Sequence, residues 1–140
     1  MSKLYRATID PSPEGFKEFF ERAPVSGPIL MVNLLRFRTD AARTPEHPAP
    51  RSGRQAFADY SRAIAPLLAK AGGRVVLAVD AHYAMIAPPG ESWDRMIVVE
   101  YPSRDAFVAM LQSPDYQGIT HHRQAALADS RLIVTTRIGS

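Results

Sequence analysis

The run Arg95-Met96-Ile97-Val98-Val99-Glu100-Tyr101 restricts the fold more than any other part of the chain. In an extended backbone Arg95, Ile97, Val99 and Tyr101 share one face, and Met96, Val98 and Glu100 share the other. Both faces are mostly apolar, so the strand predicted here has to be covered on both sides. Pro102 ends it, because proline has no N–H to donate and holds the preceding residue extended. Ser103 reads as a helix N-cap, and Phe107, Met110 and Leu111 follow at helical spacing. The stretch is therefore strand, turn, helix.

A second apolar strand is predicted over Ile29 to Phe37, with Leu30, Val32, Leu34 and Arg36 on one face and Ile29, Met31, Asn33, Leu35 and Phe37 on the other. Asn33 is the exception within it. A central amide in an apolar strand has to satisfy its donors and acceptor. It either bonds a neighbouring backbone or faces a polar cavity. A third strand is expected over Arg74 to Tyr83, with Val75, Leu77, Val79 and Ala81 on one side. The short connection from it to the first run makes the pair an antiparallel hairpin. The last strand runs from Leu132 to Thr136, after a turn at Asp129-Ser130.

Helices fill the intervals. Phe57, Tyr60, Ile64, Leu67, Leu68 and Ala71 recur at helical spacing up to the stop at Gly72-Gly73, with Pro66 inside the pattern as an expected kink. Ser113-Pro114 repeats a cap-then-proline signal and opens a second helical piece after Leu111. Near the start, Leu4 to Ile9 is a short extended candidate. Ser12-Pro13 then begins a helix carrying Phe16, Phe19 and Phe20, which ends near Ala23-Pro24. Residues 1–27 read as an extension whose helix packs on a main domain of residues 28–140. Between Arg38 and Gly53 the chain is a loop with three prolines and no periodicity, a length typical of lids and binding loops. His47, within it, reads as solvated.

With 140 residues, 46% of them hydrophobic, the chain is large enough for one domain with a genuine core. It contains no apolar run long enough for a membrane span and no apolar leader, so it reads as soluble and cytoplasmic, without a membrane partner. The absence of cysteine excludes disulfides, thiolate metal sites and cysteine nucleophiles. The pI near 9.5 invites a nucleic-acid reading. Only Lys3, Lys17 and Lys70 are lysines, however, and the arginines are scattered rather than gathered on one stripe, which argues against a nucleic-acid partner.

From Ile29 onward the order strand, helix, strand, strand, helix, strand specifies an α+β, ferredoxin-like βαββαβ plan: an antiparallel sheet with both helices on one face. The other face needs a cover. Leaving roughly 600 Å² of apolar surface in water forgoes on the order of 15 kcal/mol as an upper estimate. A second copy, packed sheet against sheet in a homodimer, is the simplest cover.

Leu34-Leu35-Arg36-Phe37 after Met31-Val32-Asn33, then Gly72-Gly73-Arg74-Val75, Trp93-Asp94-Arg95, Val99-Glu100-Tyr101-Pro102-Ser103, Ser113-Pro114-Asp115-Tyr116, His122-Arg123-Gln124-Ala125-Ala126 and Asp129-Ser130-Arg131 carry a resemblance to domain-of-unknown-function family 1330. It covers about residues 28–136. The resemblance implies the dimeric α+β-barrel fold, whose superfamily includes cofactor-independent monooxygenases, isomerases, haem-degrading enzymes and dye-decolourising peroxidases. It implies no particular reaction.

The residues themselves suggest where chemistry would sit. Glu100, a carboxylate on an apolar strand face, suits a general base, or else pairs with Arg36 or Arg95. Those two arginines suit a carboxylate or enolate substrate, with Asn33, Tyr60, Trp93 and Tyr101 around it. Trp93 is equally suited to closing the end of the hairpin. His121 and His122, adjacent on a helix, diverge by about 100° and cannot readily chelate one metal, but His121 can carry a proton. No serine-nucleophile elbow and no dinucleotide fingerprint is present. Two functions follow: an enzyme moving a proton or oxygen on a small apolar or aromatic anionic compound without a tightly bound cofactor, or a non-catalytic dimeric ligand-binding or interaction protein.

Overall fold

A computed structural model of the chain describes Arg6 and residues 8–139. Of the extended segment expected over Leu4 to Ile9, residues 4, 5 and 7 lie outside the described residues. Ile9 and Asp10 both donate backbone N–H bonds to the Arg6 carbonyl, which makes a turn there.

The elements follow in the order α1 (Pro13–Arg22), β1 (Ile29–Phe37), α2 (Gly53–Lys70), β2 (Arg74–Asp80), β3 (Arg95–Tyr101), α3 (Arg104–Gln112), α4 (Pro114–Gln117), α5 (Thr120–Ala126) and β4 (Leu127–Thr135). Four strands form one sheet in the order β2-β3-β1-β4, every pair antiparallel. This is the ferredoxin-like α+β arrangement, with α1 added in front.

Capping chemistry places the helix starts. Ser12, Ser52, Ser103 and Ser113 each accept a bond from a backbone N–H in the first turn. At Ser52 the box is complete, because the Gln55 side chain reaches back to the Ser52 N–H at 2.7 Å. That box starts α2 well before the first apolar position at Phe57.

One sheet face carries the core. Ile29, Met31 and Leu35 of β1 are almost fully buried there against Phe57 and Tyr60 of α2, Tyr101 of β3 and Phe107 of α3. The Tyr101 and Phe107 rings meet edge to face at 4.9 Å. Phe19 of α1 packs on Phe107 at 5.7 Å, and Arg104 donates to the Phe20 carbonyl at 2.7 Å. No residue of α1 is itself buried, and Phe20 is exposed.

Among the described residues no helix covers the opposite sheet face. Register places Leu30, Val32 and Leu34 of β1 beside Glu100, Val98 and Met96 of β3, with Leu77 and Val79 of β2 and Ile133 of β4 flanking them. Leu77, Val79 and Ile133 are 43%, 40% and 48% exposed.

Two expectations about strands change. The alternation expected along β2 is broken by a register shift: Val75 opposes Val99, whereas Leu77 opposes Val98. A bulge of this kind puts two neighbours against one partner, so Val75 does not share the face of Leu77 and Val79. β4 also begins at Leu127, directly after α5, and runs through Asp129-Ser130, where the sequence suggested a turn. Neither residue favours strands in isolation. Both pair with β1, opposite Arg36 and Leu35, and the Ser130 hydroxyl bonds the Thr8 carbonyl. Arg6 closes the same joint by donating to the carbonyls of Gln124 at 2.7 Å and Leu127 at 2.8 Å.

Candidate functional site

The residues singled out above are distributed over four regions. Arg36 and Glu100 lie on the helix-free sheet face, near opposite ends: Arg36 is opposite Asp129, and Glu100 is opposite Leu30. From position 30 to position 36 of one strand is about 20 Å, so one small molecule does not bridge them within a subunit. The ion pair expected for Glu100 is also different. Its carboxylate lies 3.1 Å from Arg74 and 3.6 Å from Arg137, not beside Arg36 or Arg95, because Arg74 is its cross-strand partner and Arg95 is on the other face.

Tyr60 and Tyr101 lie in the helix-side core. The Tyr60 and Tyr116 hydroxyls bond at 3.0 Å, and burial, then the neighbouring Tyr116, pushes the pKa of Tyr60 well above its ordinary value. Tyr101 is shifted upward for the same two reasons. Both phenols stay protonated near neutrality. Asn33 takes the backbone option, with its Nδ2 3.3 Å from the Met31 carbonyl and 3.4 Å from that of Ile97. Trp93 is half-buried beneath the Arg131 guanidinium, 5.1 Å from the ring centre, and Arg131 pairs with Asp129 at 2.8 Å.

Arg95 belongs to a different constellation at the end of β1. The Phe37 ring meets two guanidinium groups there, Arg54 at 5.0 Å and Arg95 at 5.1 Å from its centre. Asp94 fixes the arrangement, accepting from the Phe37 N–H at 2.8 Å and lying 3.9 Å from Arg54. Beside it opens a groove of about 330 Å³ lined by Phe37, Arg38, Thr39, Ser52, Arg54 and Asp94. Two guanidinium groups, two hydroxyls and an aromatic ring outweigh the single Asp94 carboxylate, itself bonded to the Phe37 N–H, and suit an anion with an apolar body. Arg54 and Asp94 were not chosen from the sequence. The signal was faint, since Arg54 follows an aperiodic loop and Asp94 adjoins the more conspicuous Trp93.

His121 sits in the helix layer, away from Glu100. The divergence expected for adjacent histidines does not hold in the short helix α5, where the His121 and His122 rings lie 4.0 Å apart. Burial lowers the pKa of both; His121 is then raised by Glu46, and His122 lowered further by His121 and Arg51. His47 is half-buried rather than solvated, its ring 6.5 Å from that of His122 and its Nδ1 3.2 Å from the Ala49 carbonyl. The proline-rich loop is tied to the domain by bonds from the Arg38 N–H to Ala126 and from the Ala42 N–H to Ala125. Among the described residues no group of three or more acidic, histidine or cysteine side chains is placed to hold a metal.

Comparison with known proteins adds the following. The model of a domain of unknown function, DUF1330, matches residues 52–136. A crystal structure of a protein of unknown function from Rhodopseudomonas palustris is 38% identical and superposes with a TM-score of 0.85, covering 96% of this chain and 100% of that one. A dabb family protein with a ferredoxin-like fold from Mesorhizobium loti gives 0.54 at 14% identity, over 81% of this chain and 99% of its own. SnoaB, a cofactor-independent oxygenase from Streptomyces nogalater, gives 0.50 at 14% identity, over 82% and 97%. At these last identities the likeness is one of fold. No curated protein matches the chain.

Proposed function

The chain belongs to the DUF1330 family, and from that premise and its own geometry we propose that it is a homodimer, joined through the helix-free sheet face, that binds a small aromatic or apolar anionic compound. The observation that carries the ligand class is the groove in which Arg38 and Arg54 stand beside the Phe37 ring. A guanidinium offers paired donors to a carboxylate or enolate, and the ring offers a flat apolar wall. The dimer is supported by the exposure of Leu77, Val79 and Ile133, which with Leu30, Val32, Leu34, Met96 and Val98 make the middle of this face apolar, between the charged ends at Arg36 and Glu100.

Catalysis by proton or oxygen transfer without a tightly bound cofactor is the more specific form of this reading. The fold shared with SnoaB, a cofactor-independent oxygenase, supports it. Glu100 would then act as base in the chamber between two sheets, with Arg36, Trp93 and Arg131 along the same chamber. Its two arginine partners favour the plainer form, ligand binding without turnover.

Titration with aromatic carboxylates, followed by calorimetry, tests the reading. Arg54→Gln should weaken binding by about tenfold, the value of one charge-assisted contact. Equal affinity of wild type and variant would remove the groove from consideration. With any ligand found, Glu100→Gln should abolish turnover and leave the dimer intact if the protein is an enzyme; binding with no turnover in the wild type establishes the plainer form.

A further inference from the structure

Arg51 stands next in sequence to the groove residue Ser52, yet its side chain runs to α2 and α5 and is only 6% exposed. Its Nη1 donates to Asp59 Oδ2 at 2.6 Å and to His122 Nδ1 at 2.9 Å. The Nε and Nη2 of the same guanidinium are buried and find no acceptor among the described residues. Buried donors are nearly always satisfied, so a guanidinium with a whole edge unpaired requires an explanation. That edge is the one whose two N–H groups point the same way and match two oxygens of a single oxyanion.

The surroundings suit the same guest. A guanidinium only donates, so its contact with His122 requires an unprotonated Nδ1 and leaves the ring hydrogen on Nε2 as a further donor. His121 lies against His122, and the ring of His47 in the proline-rich loop is 6.5 Å from that of His122. The fixed charges nearby are Asp59, which also pairs with Arg62, and Glu46, whose charge acts on His121. The opposing arginines hold Asp59 ionised: burial works against its charge, but the hydrogen bond from Arg51 and the charges of Arg62 and Arg51 outweigh it.

We propose that this cluster is a second ligand site, in which a small oxyanion, a carboxylate or a tetrahedral phosphate-like group, is held on the Nε–Nη2 edge of Arg51 between His47, His121 and His122. From the loop of residues 38–52, His47 stands beside it. The site lies in the helix layer and does not depend on the dimer or on the groove.

The test follows the imidazole proton resonances of His121 and His122 in the full chain during titration with sodium acetate, sodium sulfate, or sodium chloride at matched ionic strength. Saturable shifts with acetate or sulfate, absent with chloride, are expected. The oxyanion that saturates at lower concentration identifies the class. Arg51→Lys keeps the charge but loses the fork, and should weaken binding by at least about tenfold. Should that variant fail to fold, the wild type still decides. Both anions keep a constant charge from about pH 7.5 to about pH 6, and affinity must rise over that interval as pH falls, because a bound anion favours protonation of the neighbouring His121, while His122 keeps its Nδ1 free to accept from Arg51. Flat titrations, an equal response to chloride, unchanged affinity in folded Arg51→Lys, or affinity independent of pH would each overturn the proposal.

Discussion

His122 shows how one contact sets the response of the molecule to acid. Burial lowers its pKa first, and His121 and Arg51 lower it further; His121 is lowered as well, chiefly by burial. A histidine whose folded pKa lies below its ordinary value of 6.5 takes up its proton in the unfolded chain before it does so in the native one. Stability therefore falls as pH drops below 6.5 and levels off once the folded rings are protonated. The carboxylates Asp59 and Asp129, whose pKa values are also lowered, act in a separate window further down, below the ordinary carboxylate value of 3.8. Thermal melts between about pH 7 and pH 5 should show a declining Tm. His122→Gln keeps an acceptor for Arg51 and should flatten that decline. A profile as steep in the variant as in the wild type would assign the effect elsewhere.

At the scale of elements, the joint between the proline-rich loop, α2 and α5 rests on Gly53. A Cβ at that position would run into the carbonyl oxygen of Arg38 and lie 2.8 Å from that of Ala126, while the Gly53 N–H bonds Thr39 at 3.2 Å. Both obstacles are backbone, so neither can swing aside. Gly53→Ala should cost more than about 2 kcal/mol in denaturant titrations, the range of serious overpacking. A loss below half that would mean the loop can move outward freely. This joint was largely invisible in the sequence, which shows only prolines and no period between Arg38 and Gly53. β1 and β3 were legible for the opposite reason: their apolar alternation reports burial on both faces directly. Serine caps marked α1, α3 and α4, whereas the bulge in β2 and the start of β4 at Leu127 depend on cross-strand partners that local pattern does not encode. The site follows the same division. Glu100 and Arg36 stood out as charges in apolar strands, but Arg51, Arg54 and Asp94 acquire their meaning from residues distant in sequence.

For the whole molecule, the helix-free sheet face decides the assembly. Ile133 opposes Val32 near its centre and is 48% exposed in the single chain. If the proposed dimer forms there, Ile133→Asp buries an unpaired carboxylate and should weaken association by about a hundredfold or more, read as a shift from dimer to monomer in sedimentation equilibrium. A wild type that sediments as a monomer at micromolar concentration, or a variant that remains dimeric, would remove that interface. The fold follows from the strand pattern, whereas the proposed ligand sites depend on side chains brought together only once the sheet is complete.

The Arg6 guanidinium, bonded to carbonyls 118 and 121 positions away, has a consequence for the order of assembly. A chain leaving the ribosome amino end first holds this arginine without its acceptors until nearly all the rest has been made. β1 likewise waits for β4, its neighbour in the sheet and the last strand synthesised. Arg6 is thus among the last of these residues to be fastened, and the sheet cannot close until β4 has emerged.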